Sequence, residues 1–324
     1  MPRLGFWEAP KAALKRGEGV VLYHVVEHSK GSPGTNRAKM WVFEDGSQVG
    51  TIGGGVMEAR LIASALERLK REAPEGPRLI VQEHRRGGDV GKASGLICGG
   101  AQTLLAIDLK GGDDLVLIER VAEAAAEEQE LAIEVTENGV RLLSFAVKDW
   151  LEQPDGKRLL VREGGSWKVR LKLWSDRRIA IFGGGHCGVA LANLMVKLDF
   201  SVVVVEPRSD LFTLGELSPE VVLDGCSYAT GVEHLRFREM TEAVVMTHSM
   251  LTDVEALAAV FAAGMPKVGV MGSTAKRVEI HRQLLIKGFS EAEIGAVMEP
   301  LGLNFDSNTP EEIAVSVAAR ILLG

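Results

Sequence analysis

Residues 178–188 constrain the fold more than any other stretch of the chain. The apolar run Ile179-Ala180-Ile181-Phe182 ends in Gly183-Gly184-Gly185-His186-Cys187-Gly188, a G-x-G-x-x-G turn where a strand hands over to a helix. In such a turn the first glycine allows the sharp reversal, the second lets a pyrophosphate approach the backbone, and the third lets helix and strand pack closely. The helix start then offers N–H groups and a positive dipole end to an anion. Glu206 ends the next apolar run, where an acidic side chain can bond a ribose 2′-hydroxyl. The same glycines would also serve a fold that binds nothing and needs them only for packing. Strand-like runs at 178–182, 201–206, 243–247 and 268–271 alternate with helical stretches, one from about Cys187 and one from Asp253. That alternation predicts a parallel α/β sheet.

The front half reads differently. Residues 19–28 are rich in valine and read as a buried strand running into the loop Ser29-Lys30-Gly31-Ser32-Pro33-Gly34. Residues 39–44 and 48–52 form a hairpin about Asp45-Gly46. Met57, Leu61, Ala65 and Leu69 recur at helical spacing after Gly53-Gly54-Gly55. Strands are expected at 79–83 and 102–109, a helix at 115–128, and strand pairs within 131–145 and 159–173. The fold class is therefore α/β: a C-terminal Rossmann-like parallel sheet, residues 176–324, after a smaller N-terminal α+β domain, residues 1–175. The last helix announces itself by Thr309, Pro310 and Glu312, a capping box with proline at the first helical position.

Charge narrows the partners. Lys and Arg number 37 against 44 Asp and Glu, a net charge of −7, with no basic stripe, so nucleic acid is not expected. No uncharged apolar run approaches the ~18 residues of a membrane span, and residues 1–14 lack the pattern of a signal peptide. The expectation is a cytoplasmic protein. Cys98, Cys187 and Cys226 form no C-x-x-C pair, so neither a disulfide framework nor a cysteine zinc site is expected.

Several residues carry possible chemistry. Gly53, Gly54 and Gly55 join strand to helix and form a second candidate anion cradle, with Glu58 complementing the helix dipole or opposing a tightly bound anion. Cys98 precedes Gly99 and Gly100 and follows Arg85, Arg86 and Lys92, surroundings that favour a thiolate able to ligate metal, unless it is simply a small buried residue. Cys187 either fills space beneath its turn or is acidified by the helix dipole. His248 and Asp253 offer two donors at the carboxyl end of a strand, although Asp253 could equally cap its helix. His186 sits inside the glycine turn, in reach of a ligand or of water. Cys226, His84, His234 and His281 belong to no recognisable constellation. An NAD-dependent oxidoreductase with His186 or His248 as proton donor, and a nucleotide-sensing module without chemistry, are the alternatives these residues leave open.

Taken in order, many segments resemble the XdhC/CoxI family, accessory proteins that mature xanthine dehydrogenase and related molybdenum hydroxylases. The resemblance is carried by Gly31-Ser32-Pro33, Ala38-Lys39-Met40, Asp45-Gly46-Ser47, Gly50 to Gly55 with Glu58, and Cys98-Gly99-Gly100. It continues through the Gly183 to Gly188 turn, Thr247-His248 with Asp253, Gly269-Val270-Met271-Gly272-Ser273 with Lys276, Leu301-Gly302-Leu303 and the run from Thr309 to Ser316. It implies a chaperone rather than an enzyme. Such a chaperone binds molybdenum cofactor of the molybdopterin type, supports its sulfuration and delivers it to an apo-hydroxylase. The implied partners are a xanthine dehydrogenase-like hydroxylase and a cysteine desulfurase, with a homodimer as a further assembly. Cys98 matches the family's cofactor-linked cysteine and is the implied metal ligand. Gly183, Gly185, Gly188 and Glu206 would take NAD, another nucleotide or the dinucleotide form of the cofactor. Four departures stand out: Gly34 stands where the family often carries an arginine, Gly184 and Cys187 replace the usual Ala and Val, Glu206-Pro207-Arg208 replaces an Asp-Asp-Arg-like stretch, and Ser273-Thr274-Ala275-Lys276 lacks the arginine expected after serine.

Overall fold

The computed structural model describes residues 3–29, 32, 35, 38–84, 100–151, 159–295, 297–298, 301–304 and 306–323. They divide into two compact units, Arg3–Trp174 and Ser175–Gly324. Among the described residues no helix is long and apolar enough to cross a membrane.

The first unit is α+β, and it is the longer in chain length. Its elements are α1 (Arg3–Lys15), β1 (Val20–His28), β2 (Lys39–Phe43), β3 (Gln48–Thr51), α2 (Gly55–Leu69), β4 (Arg78–His84), β5 (Gly100–Leu109), α3 (Gly112–Ala126), β6 (Leu131–Thr136), β7 (Gly139–Ser144), α4 (Val147–Leu151), β8 (Leu160–Glu163) and β9 (Ser166–Lys172). An antiparallel sheet runs β3-β2-β1-β5-β4 and a second runs β7-β6-β9-β8. β1 shows no polar alternation because both its faces are covered. Val20, Leu22 and Val26 join the core that includes α1, α3 and the second sheet, while Val21, Tyr23 and Val25 face α2. The helical stripe of α2 is buried at Met57, Leu61, Ala65 and Leu69. α1 was not evident in the sequence. It holds Pro10 and only a short apolar stripe, and it is kept helical by Phe6 and Trp7, which stack near Trp41 at 5.8 and 5.7 Å.

Polar groups tie this unit together from inside. Arg68 on α2 pairs with Asp108 on β5 at 3.1 Å, both almost fully buried, and donates to the Tyr23 hydroxyl at 2.6 Å. Arg78 reaches the same carboxylate at 3.2 Å. A buried charge is tolerable only when partnered in this way.

The second unit comprises β10 (Arg178–Phe182), α5 (His186–Lys197), β11 (Ser201–Val205), β12 (Val222–Asp224), α6 (Tyr228–His234), β13 (Thr241–Val245), α7 (Met250–Ala262), β14 (Lys267–Val270), α8 (Thr274–Ile286), α9 (Glu291–Gly295), β15 (Val297–Met298) and α10 (Pro310–Leu323). All six strands are parallel in the order β12-β11-β10-β13-β14-β15. Counted within the unit this is 3-2-1-4-5-6, the Rossmann order, with its crevice where the order reverses between β10 and β13. Ile179 and Ile181 face α5 and α10, and Ala180 and Phe182 face α6, α7 and α8. The expected capping box opens α10: Glu312 N donates to Thr309 Oγ1 at 3.2 Å and Thr309 N to Glu312 Oε2 at 3.0 Å.

Candidate functional site

At the carboxyl end of β10 each glycine of the turn has its own reason. Gly183 has φ +125°, and a side chain there would collide with the carbonyl of Met246, which follows β13. A side chain at Gly188 would collide with the Gly183 carbonyl, so α5 lies directly on the turn. Gly185, the N-cap of α5, is the open one: a Cβ there meets nothing within 4 Å. That is the cradle through which a phosphate could approach the first N–H groups of α5.

Gly184 is clamped from both sides. Its N–H donates to Glu206 Oε2 at 2.7 Å and its carbonyl accepts from Thr213 Oγ1 at 2.6 Å. A Cβ at 184 would sit 2.6 Å from Leu214 Cδ2 and 2.9 Å from Glu206 Cγ. Glycine at 184 and the long acid at 206 are therefore matched, which accounts for two of the departures from the family pattern together. The Glu206 side chain is fully buried, and its two oxygens also accept from Arg208 N, Nε and Nη2 at 3.0, 2.8 and 2.9 Å. Burial alone would raise its pKa, but the guanidinium and the two amides prevail and hold the carboxyl below its ordinary range. The acid expected to meet a ribose thus spends its acceptor sites on the turn and on Arg208.

Around the turn, His186 is exposed and meets Phe212 edge-on at 5.4 Å; Phe212 is itself 72% exposed. Cys187 is half-buried, and burial first, then Glu311, push its thiol up rather than acidifying it. Tyr228 is buried beside the crevice. Its hydroxyl has no hydrogen-bond partner among the described residues, and burial, reinforced by Glu206, pushes its pKa up to about 12.

The loop after β13 resolves the roles of His248 and Asp253. Ser249, not Asp253, caps α7, accepting from Thr252 N at 3.3 Å. Asp253 is fully buried: one oxygen accepts from Thr247 N at 3.0 Å and Thr247 Oγ1 at 2.6 Å, and the other pairs with Lys276 on α8. Lys276 also reaches the Met271 carbonyl at 3.3 Å. Asp253 is an internal tie between two loops of the crevice, while His248 is exposed.

In the first unit the strand register gathers the candidates at one end of the sheet. His24 pairs with Lys39, Lys39 with Thr51, and His28 with Gln102. The end of β1, the start of β2, the turn after β3 and the start of β5 therefore share one edge. Ser29 ties the edge further, its hydroxyl accepting from Ala101 N at 2.7 Å. Gly100, with φ +135°, opens β5 there. Cys98 and Gly99, with Arg85, Arg86 and Lys92, lie outside the described residues.

The turn Gly53-Gly54-Gly55 has φ of +127°, +77° and +72°. Its anion is its own. Glu58 Oε2 accepts from Thr51 Oγ1, Ile52 N and Gly54 N at 2.6, 3.0 and 3.1 Å, and Oε1 accepts from Gln48 Nε2 at 2.7 Å. Burial opposes the charge, yet these donors hold the Glu58 carboxyl below its usual range. Gly53 N is directed to Thr51 Oγ1 at 3.2 Å.

One grouping escaped the sequence. Asp224, Cys226 and His234 bring a carboxylate oxygen, a thiol sulfur and a ring nitrogen within 4.8 Å of one another at the end of β12. Their spacing matches no familiar motif, because the end of a three-residue strand, the turn after it and the last residue of a seven-residue helix supply them.

Comparison with known proteins agrees with this architecture. Residues 179–321 match the XdhC Rossmann domain model and residues 13–84 the XdhC and CoxI family model. The uncharacterized protein YqeB of Escherichia coli (strain K12) is 26% identical over 300 residues, 91% of this chain and 41% of that protein. A probable xanthine dehydrogenase subunit of Bacillus subtilis (strain 168) is 29% identical over 145 residues, 45% of this chain and 42% of that protein. The chain thus spans about two fifths of the length of the curated relatives it matches. The crystal structure of a xanthine dehydrogenase from Bacillus halodurans shares the fold at a TM-score of 0.73 and 21% identity, covering 99% of this chain and 95% of that one.

Proposed function

Because the chain belongs to the XdhC and CoxI family, we propose that it is an accessory protein for a xanthine dehydrogenase-type molybdenum hydroxylase. In this reading it binds molybdenum cofactor as cargo, protects it while a cysteine desulfurase supplies sulfur, and passes it to the apo-hydroxylase in the cytoplasm. The observation that carries the reading is the shared edge of the first sheet. There the Ser29 loop, the Glu58-filled turn and Gly100, two residues after Cys98, come together. Cys98 would give the molybdenum a soft sulfur donor. Gly99 and Gly100, with Gly53, Gly54 and Gly55, would let the pterin phosphate approach the backbone.

The crevice of the second unit would take a nucleotide, free or as part of a dinucleotide form of the cofactor. Gly185 leaves room for phosphate, the start of α5 supplies N–H groups, and His186 with Phe212 presents aromatic faces on which a base could stack. Gly183 and Gly188 hold the turn closed, and Glu206 acts by fixing Gly184 rather than by reaching the ligand. The oxidoreductase alternative gains nothing from the geometry, since Asp253, the acid expected beside His248, is spent on Thr247 and Lys276.

The test is retention of cargo. Purified protein is mixed with molybdenum cofactor, separated by gel filtration and analysed for molybdenum. Wild type is expected to keep close to one equivalent and Cys98→Ser to lose at least about tenfold, which is about 1.4 kcal/mol of binding. Equal retention by both would overturn the role of Cys98.

A further inference from the structure

The edge of the parallel sheet carries a donor set that the cofactor reading does not use. Asp224 is the last residue of β12, in register with Val205, and is only 12% exposed. Its Oδ1 accepts from Cys226 N at 2.9 Å, and its Oδ2 lies 2.8 Å from His234 Nδ1. The Cys226 sulfur lies within 4.8 Å of this carboxylate and of the His234 ring nitrogen, and the neighbouring carboxylate pushes its thiol pKa up. The helix that delivers His234 is firmly placed. Ser227 caps it through Thr230 N, Tyr228 and Val232 are buried beneath it, and Gly231 lies so close to Val205 that any side chain there would collide. A strand end, a tight turn and a packed helix thus bring three different donor atoms within 4.8 Å of one another.

We propose that Asp224, Cys226 and His234 form a binding site for a thiophilic divalent cation of the zinc class, with a fourth position open to water or an added ligand. The donor chemistry selects the metal. Calcium and magnesium call for all-oxygen shells, whereas thiolate, imidazole and carboxylate together suit zinc. Three protein ligands with one vacancy is the pattern of sites at which an exchangeable ligand binds. In the metal-free protein the Asp224 carboxylate is hydrogen-bonded to the His234 ring and to the Cys226 backbone N–H. On binding, the thiol S–H bond breaks, a metal–sulfur bond forms and that proton leaves to solvent. The neutral His234 ring, to ligate through Nδ1, carries its proton on Nε2 instead by exchange with solvent, so the net release is one proton for each ion bound. A dication with one thiolate and one carboxylate is then locally neutral. The donors, all within 4.8 Å of one another with Asp224 and His234 at 2.8 Å, must adjust to the ~3.5 Å separations that metal–ligand bonds of 2.0–2.3 Å imply in a tetrahedron. His234, 55% exposed at the end of its helix, is free to make that adjustment. The site involves neither Cys98 nor the glycine turns, so it stands whether or not the chain carries molybdenum cofactor.

Cobalt(II) titrated into the metal-free, reduced full-length chain tests the site. One equivalent is expected to bind with a near-ultraviolet thiolate-to-cobalt band, to be displaced by zinc, and to release one proton per ion in weakly buffered dye. Cys226→Ser is expected to abolish the band and weaken zinc at least about 100-fold, and His234→Gln at least about tenfold, while Cys98→Ser and Cys187→Ser keep both. Circular dichroism of His234→Gln, altered only at a half-exposed side chain, checks that the fold survives. A band that persists in Cys226→Ser, a band lost in Cys98→Ser, or no thiolate band at all would each overturn the proposal.

Discussion

Gly185 and Gly188 stand three residues apart in one turn and ask opposite things of a substitution. Gly188→Ala places a methyl group into the Gly183 carbonyl, and overpacking of that kind is expected to cost about 1–3 kcal/mol, at the upper end because the neighbour is backbone. Gly185→Ala meets open space at an extended backbone, φ −72°, and loses only the N-cap preference of glycine, about 1 kcal/mol or less. The two variants therefore separate folding from binding. Urea unfolding should find Gly188→Ala strongly destabilised and Gly185→Ala near wild type, while a titration with nucleotide is expected, on the proposed reading, to show weaker binding by Gly185→Ala. Of this turn the sequence disclosed the glycines and the presence of an acid. It did not disclose that the acid serves the turn itself, because its contact with Gly184 depends on where β11 ends relative to β10.

At the scale of elements, the N-terminal turn and α2 are joined through one carboxylate. Glu58 has its pKa lowered on folding from an ordinary value of 4.5. Its stabilising contribution is therefore fully present above that value and is lost as pH falls through the folded-state pKa. Glu58→Gln is expected to cost about 1–3 kcal/mol near neutral pH, with the gap to wild type closing below about pH 4.5. Urea unfolding of both proteins across that range measures it, and a gap independent of pH would assign the cost to shape rather than charge. The elements that could be read in advance were those whose signals are local. α2 showed its stripe, the β2–β3 hairpin its Asp45-Gly46, and α10 its capping residues. α1 was hidden because its helix rests on the contact of Phe6 and Trp7 with Trp41, more than thirty positions away. β12 and α6 were hidden because three residues in one and a central glycine in the other leave no periodicity to read.

At the scale of the molecule, each unit closes its own apolar interior, with α2, α1, α3 and the second sheet covering the first sheet and helices on both faces of the parallel sheet. Leu191 on α5 has no exposure. Leu191→Ala is expected to cost about 2–5 kcal/mol, and hydrogen exchange should show protection falling in peptides from β10 to α10 and unchanged in peptides from β1 to β5. The parallel sheet was legible because strand and helix alternate along the chain. The gathering of the N-terminal candidates was not, since His28 meets Gln102 only through an antiparallel pairing between distant segments, which no local pattern encodes.

In both units a glycine-rich turn is already answered by a glutamate of the same chain, Glu58 in one and Glu206 in the other. An anion approaching the first of these turns would compete with a tethered rival, whose effective concentration is millimolar or above on the scale of a short flexible link, whereas at the second turn Gly185 stays open beside the glutamate. A lone inorganic phosphate is at a disadvantage in that exchange. A guest that grips at several points at once is not, so under the proposed reading Glu58 would favour a multidentate cargo over small ambient anions.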